Sequence, residues 1–287
     1  FRSRKEPAVD GLLIRDVKVI GASLGISCNA GPCNNLWLEN IKVQSAPGTG
    51  SGADAVAVES GENVVLVNVE VSGASADGID IKASRVLVWG CTVHHVQRNG
   101  LKLWKGGDIV NTVVHHTGAD ASVVFMEGQY RMVNSLVAYH NYEGDKSYNL
   151  TAGHGIRQAL EVSLVNSIYY NTSGGMYFAD QAKVKVSHCL FSGMQNGNIM
   201  RINHAGKALT LTPLALGPRT KALGLGAGNR VAKPGFMDPT QGDFRLKADS
   251  AAVDAGKVAM PYPAEDRDGA PRIRGKAPDI GPFEQGQ

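Results

Sequence analysis

Hydrophobic residues in this chain alternate with polar ones over short runs, and the runs return at intervals of roughly 20 to 23 residues. Each unit reads Gly-apolar-x-apolar, then a Val/Leu alternation, then Asn-x-apolar-apolar. It is followed through Asp77-Gly78-Ile79-Asp80-Ile81, Asn99-Gly100-Leu101-Lys102-Leu103, Ala121-Ser122-Val123-Val124-Phe125, Gly155-Ile156-Arg157 and Gly175-Met176-Tyr177-Phe178. Degenerate copies start near Ile26 and Val56. A period of two sends one set of side chains inward and the other outward. Strands this short, with no helices between them, cannot bury a face alone, so successive coils must stack. The expected fold is all-β, a right-handed parallel β-helix of about 8 to 10 coils, its hand set by the general crossover preference.

A second register places Asn40, Asn68, Asn111, Asn134 and Asn166 at one position of successive units, with Cys91 and His188 substituting. Asn tolerates left-handed turns and bonds to the Asn above it, so an internal asparagine ladder is expected. Gly/Ser/Asp-rich insertions at Ala46–Asp54 and Tyr142–Gly153 are expected to rim a groove. Residues 1–208 form the coils. Residues 209–287 form a terminal coil and a C-terminal capping segment of the same domain, expected to cover the open end of the solenoid. Its stretch from Asp266-x-Asp268-Gly269 to Asp279-Ile280-Gly281 resembles the last segment of many secreted bacterial β-helix proteins.

Composition suits short strands and tight turns: 35 glycines, 6% aromatic residues and 19% charged residues. The net charge of +3 attracts polyanions mildly, but there is no Lys/Arg block of the kind nucleic-acid binders carry. No apolar stretch is long enough to span a membrane. The chain opens at Phe1 rather than Met, as a trimmed mature protein does, which fits a secreted or extracellular monomer. Cys28 and Cys33 are close enough to bridge a short loop. Cys91 and Cys189 fall four coils apart, far beyond disulfide reach at about 4.8 Å per coil.

The outward positions of one sheet are expected to run Ser27, Ala57, Asp80, Lys102, Val124, Arg157, Tyr177, and two residues later Asn29, Glu59, Lys82, Trp104, Met126. One face therefore collects acids, bases and an aromatic. On these residues the chain resembles polysaccharide lyase family 9: Ala76-Asp77-Gly78-Ile79-Asp80 and Asn99-Gly100-Leu101-Lys102-Leu103 align with the family's Asp-Asp-Gly-Phe-Asp and Gly-Asn-Gly-Phe-Lys-Leu motifs. Ala76 stands in place of the first motif acid, and Arg98 in place of a glycine. The resemblance implies calcium held by Asp77 and Asp80, with Asp54 in the preceding coil as a further ligand. It also implies Lys102 as the base of a β-elimination on a uronate-containing acidic polysaccharide. Lys82, Trp104, His154, Arg157 and Tyr177 are the expected substrate contacts.

Alternatives stay open. An epimerase shares the abstraction of the α proton. Ser75 to Asp80 and Gly153-His154-Gly155 resemble fragments of the polygalacturonases of glycoside hydrolase family 28, but Arg98-Asn99 stands where those have two aspartates. A non-catalytic carbohydrate-binding β-helix needs only the charge ladder. The pairs His94-His95 and His115-His116, followed by Tyr139-His140 and Tyr169-Tyr170, read as a turn-region stack of flat side chains or as a transition-metal site.

Overall fold

The computed structural model describes residues 8–45, 52–118, 121–140, 148–155, 158–195, 197–204, 207–212, 226–259 and 263–286. It is a right-handed parallel β-helix of about eight turns. Each full coil crosses three sheet faces. Along the first face, Ile26, Val56, Ile79, Leu101, Val123, Leu150, Met176 and Met200 lie in register in one inward column. On the second, Leu38, Leu66, Val88, Ile109, Met132, Leu164 and Val186 form one inward column. On the third, Val43, Val71, Val93, Val114, Val137, Tyr169 and Phe191 form another. These residues are buried and make one continuous core, because like side chains on successive rungs pack directly on one another.

The corner between the second and third faces requires a left-handed residue. Asn40, Asn68, Asn111, Asn134, Asn166 and His188 all adopt it, with φ between 49° and 52°. The expected ladder is present, with two corrections: it stands on the outside of the corner rather than inside, Asn40 and Asn68 being exposed, and Gly90 (φ 63°), not Cys91, takes this position. Cys91 is one residue further on and points inward, in a column with Thr112, Ser135, Ser167 and Cys189. There the hydroxyls of Thr112, Ser135 and Ser167 each receive a backbone N–H from the coil before and donate to a carbonyl. Cys91 and Cys189 are buried free thiols, whereas Cys28 and Cys33 form a disulfide.

The two histidine pairs stack in the expected alignment, whereas the tyrosine pairs are out of it: Tyr139 lies beside His116 rather than His115. His95, His116, Tyr139 and Asn171 share a left-handed corner. His95 and His116 are parallel at 4.6 Å, as are His94 and His115 at 5.1 Å, and Tyr139 continues the first stack.

The start of the C-terminal segment covers strand edges of the last coil, as expected: Lys207–Leu211 pairs with Met200–His204, and Arg230–Val231 pairs with Leu190–Phe191. The rest takes a course that the sequence did not show. It lies along the third face. There the outward column begins as Lys42, Glu70, Thr92 and turns apolar at Val113, Leu136, Ile168 and Leu190. Phe236, Phe244, Ile280 and Phe283 bury this apolar half. Besides the strand edge of the last coil, the segment thus covers exposed hydrocarbon of the middle coils. Polar anchors run along the asparagine corner. Asn111 donates to the Glu265 carbonyl and accepts from the buried Arg272, which also pairs with Glu284 at 3.0 Å. Asn166 exchanges two hydrogen bonds with Lys257. Arg267 reaches the Gly90 and Cys91 carbonyls where the glycine leaves the corner bare.

Candidate functional site

The C-terminal segment leaves the first and second faces open, and the first carries the acids, bases and rings of the expected site. Its central column runs Ser27, Ala57, Asp80, Lys102, Val124, Thr151, Tyr177, Arg201. This corrects the expected column: Thr151, not Arg157, lies between Val124 and Tyr177. The strand Tyr148–Ala152 starts before Gly153, because Leu150 and Ala152 supply the inward positions. Arg157 lies outside the described residues, as do 46–51 of the first expected insertion and 142–147 of the second.

The turn entering this face is held by a chain of polar side chains. Asp77 donates its backbone N–H to Asp54 Oδ1 at 3.0 Å. Asn99 donates both its backbone and side-chain N–H to Asp77 Oδ1, at 3.1 and 2.9 Å, and Ala121 donates to Asn99 Oδ1. The glycine that follows is obligatory for packing: a Cβ at Gly78 would collide with Val93 and with the Gly100 carbonyl. Asp54 and Asp77 thus serve the fold by satisfying buried N–H groups.

Asp80 is buried and accepts a hydrogen bond from the Trp104 indole at 2.6 Å. Burial pushes its carboxyl up to about 6, opposed by Lys102 and the indole and reinforced by Asp54 and Asp77. Burial likewise raises Asp54. The Lys102 ammonium lies 3.9 Å from Asp77 Oδ2 and 4.7 Å from the centre of the Trp104 ring. Lys82 pairs with Glu59, stands 4.0 Å from Asp80 Oδ2 and 5.4 Å from the same ring. The Trp104 indole is therefore occupied by two ammonium groups and a carboxylate, and neither it nor Lys82 lines the groove described next.

Calcium requires several convergent hard oxygens. Among the described residues no group of three or more His, Cys, Asp or Glu side chains is placed to hold a metal ion. One oxygen of each of Asp54, Asp77 and Asp80 already accepts an N–H, and the second oxygens of Asp77 and Asp80 face ammonium groups. As arranged, the three aspartates do not form a calcium cage.

From Lys102 a groove of about 630 Å³ runs toward the C-terminal coils. Its cations are Arg98, Lys102 and Arg201, and its rings are Tyr148, His154 and Tyr177. Val124, Met126 and Thr151 form the floor. Tyr177 packs against Tyr148 at 5.4 Å, meets the edge of His154 at 5.7 Å, and accepts a hydrogen bond from Asn203. Lys102, His154 and Tyr177 are thus brought into one groove, apart from Asp80 and Lys82. Arg98, Tyr148 and Arg201 were missed by the sequence reading. One more rung of the repeat, Met176 to Met200, carries the column to Arg201 and was the available signal.

A three-faced solenoid with an outward groove on one face defines a class, and the family model for the right-handed β-helix region matches residues 24–210. The chain belongs to that family. A solved structure, described as the crystal structure of pectate lyase Pel9A, is similar with 12% identity and a TM-score of 0.38, covering 97% of this chain and 87% of that one. No curated protein matches the chain.

Proposed function

We propose that the first face binds a uronate-containing polysaccharide and cleaves it by β-elimination, with Lys102 as the base. The observation that carries this reading is the position of Lys102. It lies where the acidic turn of Asp54, Asp77 and Asp80 meets a groove lined by cations and rings. In the reaction Lys102 acts as the neutral amine, its ammonium having first given a proton to water, and takes the proton α to the uronate carboxylate. The electron pair left behind forms the carbon–carbon double bond, and the glycosidic oxygen on the β carbon departs with its bonding electrons and takes a proton from water. Arg98, lining the same groove, supports the negative charge that develops on the carboxylate. No step is assigned to a metal. The Cys28–Cys33 disulfide supports an oxidising compartment outside the cell. No helix among the described residues is long and apolar enough to cross a membrane.

The test is incubation with pectate, alginate and glycosaminoglycan polymers, each with added calcium and with chelator, following the ultraviolet absorbance of the unsaturated product. Absence of that product from every polymer sinks the elimination. Inverted uronates without it indicate an epimerase, new reducing ends without it a hydrolase, and binding alone a carbohydrate-binding module. Lys102→Ala is expected to lower turnover by on the order of 10²- to 10⁴-fold with an unchanged circular dichroism spectrum. Retained turnover removes Lys102 as the base.

A further inference from the structure

We infer that the C-terminal half of the groove is a subsite for the carboxylate of a second uronate, with Arg201 as its clamp and Tyr177 as the surface on which the sugar ring lies. The inference rests on the proposed polysaccharide reading and extends it to a residue and a polarity of binding.

Charge complementarity is the first support. The groove is lined by two arginines, a lysine and a histidine, and by no aspartate or glutamate among the described residues. On the N-terminal side of Lys102 the same face carries Asp80, Asp77 and Asp54 beside the neutralised Glu59–Lys82 pair, and is acidic on balance. An anionic chain is therefore attracted toward the C-terminal coils and repelled from the N-terminal ones.

The second support is the state of the arginines. Of the ten described arginines, Arg15, Arg85, Arg131, Arg245 and Arg272 pair with a carboxylate, and Arg230 and Arg267 bond backbone carbonyls. Neither Arg98 nor Arg201 has a carboxylate within ion-pair distance among the described residues. Arg274 also has no carboxylate partner among them, so it is their place in the groove that sets Arg98 and Arg201 apart. A guanidinium left without a carboxylate in a concave, ring-lined site is suited to a bidentate bond with the carboxylate of a ligand.

Geometry is the third support. Tyr177 and Arg201 occupy adjacent rungs of one outward column. Lys102 lies four rungs from Arg201, about 19 Å at the usual rung spacing, so the subsite serves a sugar removed from the one that reacts. Tyr177 is steadied by Asn203, Tyr148 and His154, which limits the ordering required when a ring stacks on it.

The experiment is calorimetric titration of an oligogalacturonate and of its carboxyl-reduced, neutral counterpart into the Lys102→Ala protein, in which turnover does not interfere, alone and combined with Arg201→Gln or Arg201→Lys. The acidic oligomer is expected to bind at least tenfold more weakly when Arg201→Gln is added, with partial recovery in Arg201→Lys. The neutral oligomer is expected to bind weakly and without regard to Arg201. Equal binding of the acidic oligomer with and without Arg201→Gln, equal binding of both oligomers, or no binding of either overturns the subsite. Turnover by the wild type with KM unchanged in Arg201→Gln removes the subsite and leaves the elimination standing. Binding that depends on Arg201, without turnover of any polymer, does the reverse.

Discussion

Asp80 carries the most perturbed carboxyl on the candidate face. Its proton is held up to about 6 chiefly by burial, so it is an anion at pH 7.5 and largely neutral at pH 5. An anionic ligand on the same face is repelled in the first state and not in the second. Asp80→Asn is therefore expected to bind an oligogalacturonate several-fold more tightly than wild type at pH 7.5, with the difference closing at pH 5. Titrations at the two pH values measure it, and a difference independent of pH assigns the effect elsewhere. Asp77 behaves otherwise, since its Oδ1 accepts twice from Asn99 and holds the turn. Asp77, Asp80 and Lys102 were legible in the sequence as one cluster because the repeat is regular there. What was not legible was that two of the three aspartates already satisfy backbone N–H groups, a fact that depends on the rung-to-rung offset of side chains.

At the scale of the element, the left-handed corner explains both what the sequence showed and where it misled by one residue. Asparagines at constant spacing revealed the corner between the second and third faces. Gly90 hid in it because glycine is common throughout the unit, and the neighbouring Cys91 looked like the substitute. The histidine pairs were read in register, and Tyr139-His140 was offset from them by one residue. The strand Tyr148–Ala152 was overlooked because an insertion precedes it and no Gly-apolar start marks it. Arg201 was overlooked because its strand, Met200–His204, ends the parallel progression and pairs antiparallel with Lys207–Leu211.

The histidine corner makes a prediction of its own. His115 is pushed down to about 3, first by burial and then by His94, His116, His95 and Arg267. The unfolded chain takes up that proton near the ordinary value of 6.5, so between about 6.5 and 3 the unfolded state holds more protons and acidification favours it. Stability is expected to fall as pH drops through this window, with a limiting slope of about 1.4 kcal/mol per pH unit from this one group. His115→Gln is expected to flatten the dependence. Thermal melts across the pH range decide, and an identical slope in the variant refutes it.

The molecule as a whole is held together by two kinds of contact. Coils meet only their neighbours, whereas the C-terminal segment reaches from Gly90 to Asn166 along one flank. The change in the third outward column from Lys42, Glu70 and Thr92 to Val113, Leu136, Ile168 and Leu190 was present in the sequence. Its partner was not, because Arg272 and Asn111 are 161 residues apart and no periodicity links a repeat to a segment that does not repeat. Arg272 is fully buried with Glu284, Asn111 and two carbonyls as partners. Arg272→Ala leaves the Glu284 carboxylate without its cation and is expected to cost about 3–5 kcal/mol. Urea melts measure the loss, and limited proteolysis within 226–286 is expected to accelerate with it. A variant as stable and as protease-resistant as wild type would show that the segment is held by its aromatic residues alone.

That lateral strap also bears on biosynthesis. The middle coils emerge from the ribosome long before the phenylalanines that cover them, so Val113, Leu136, Ile168 and Leu190 face water until the last stretch of chain is made. A nascent or truncated chain of otherwise finished coils therefore presents an uncovered greasy flank, and keeping that flank from a neighbour's is the task a chaperone would meet in this protein.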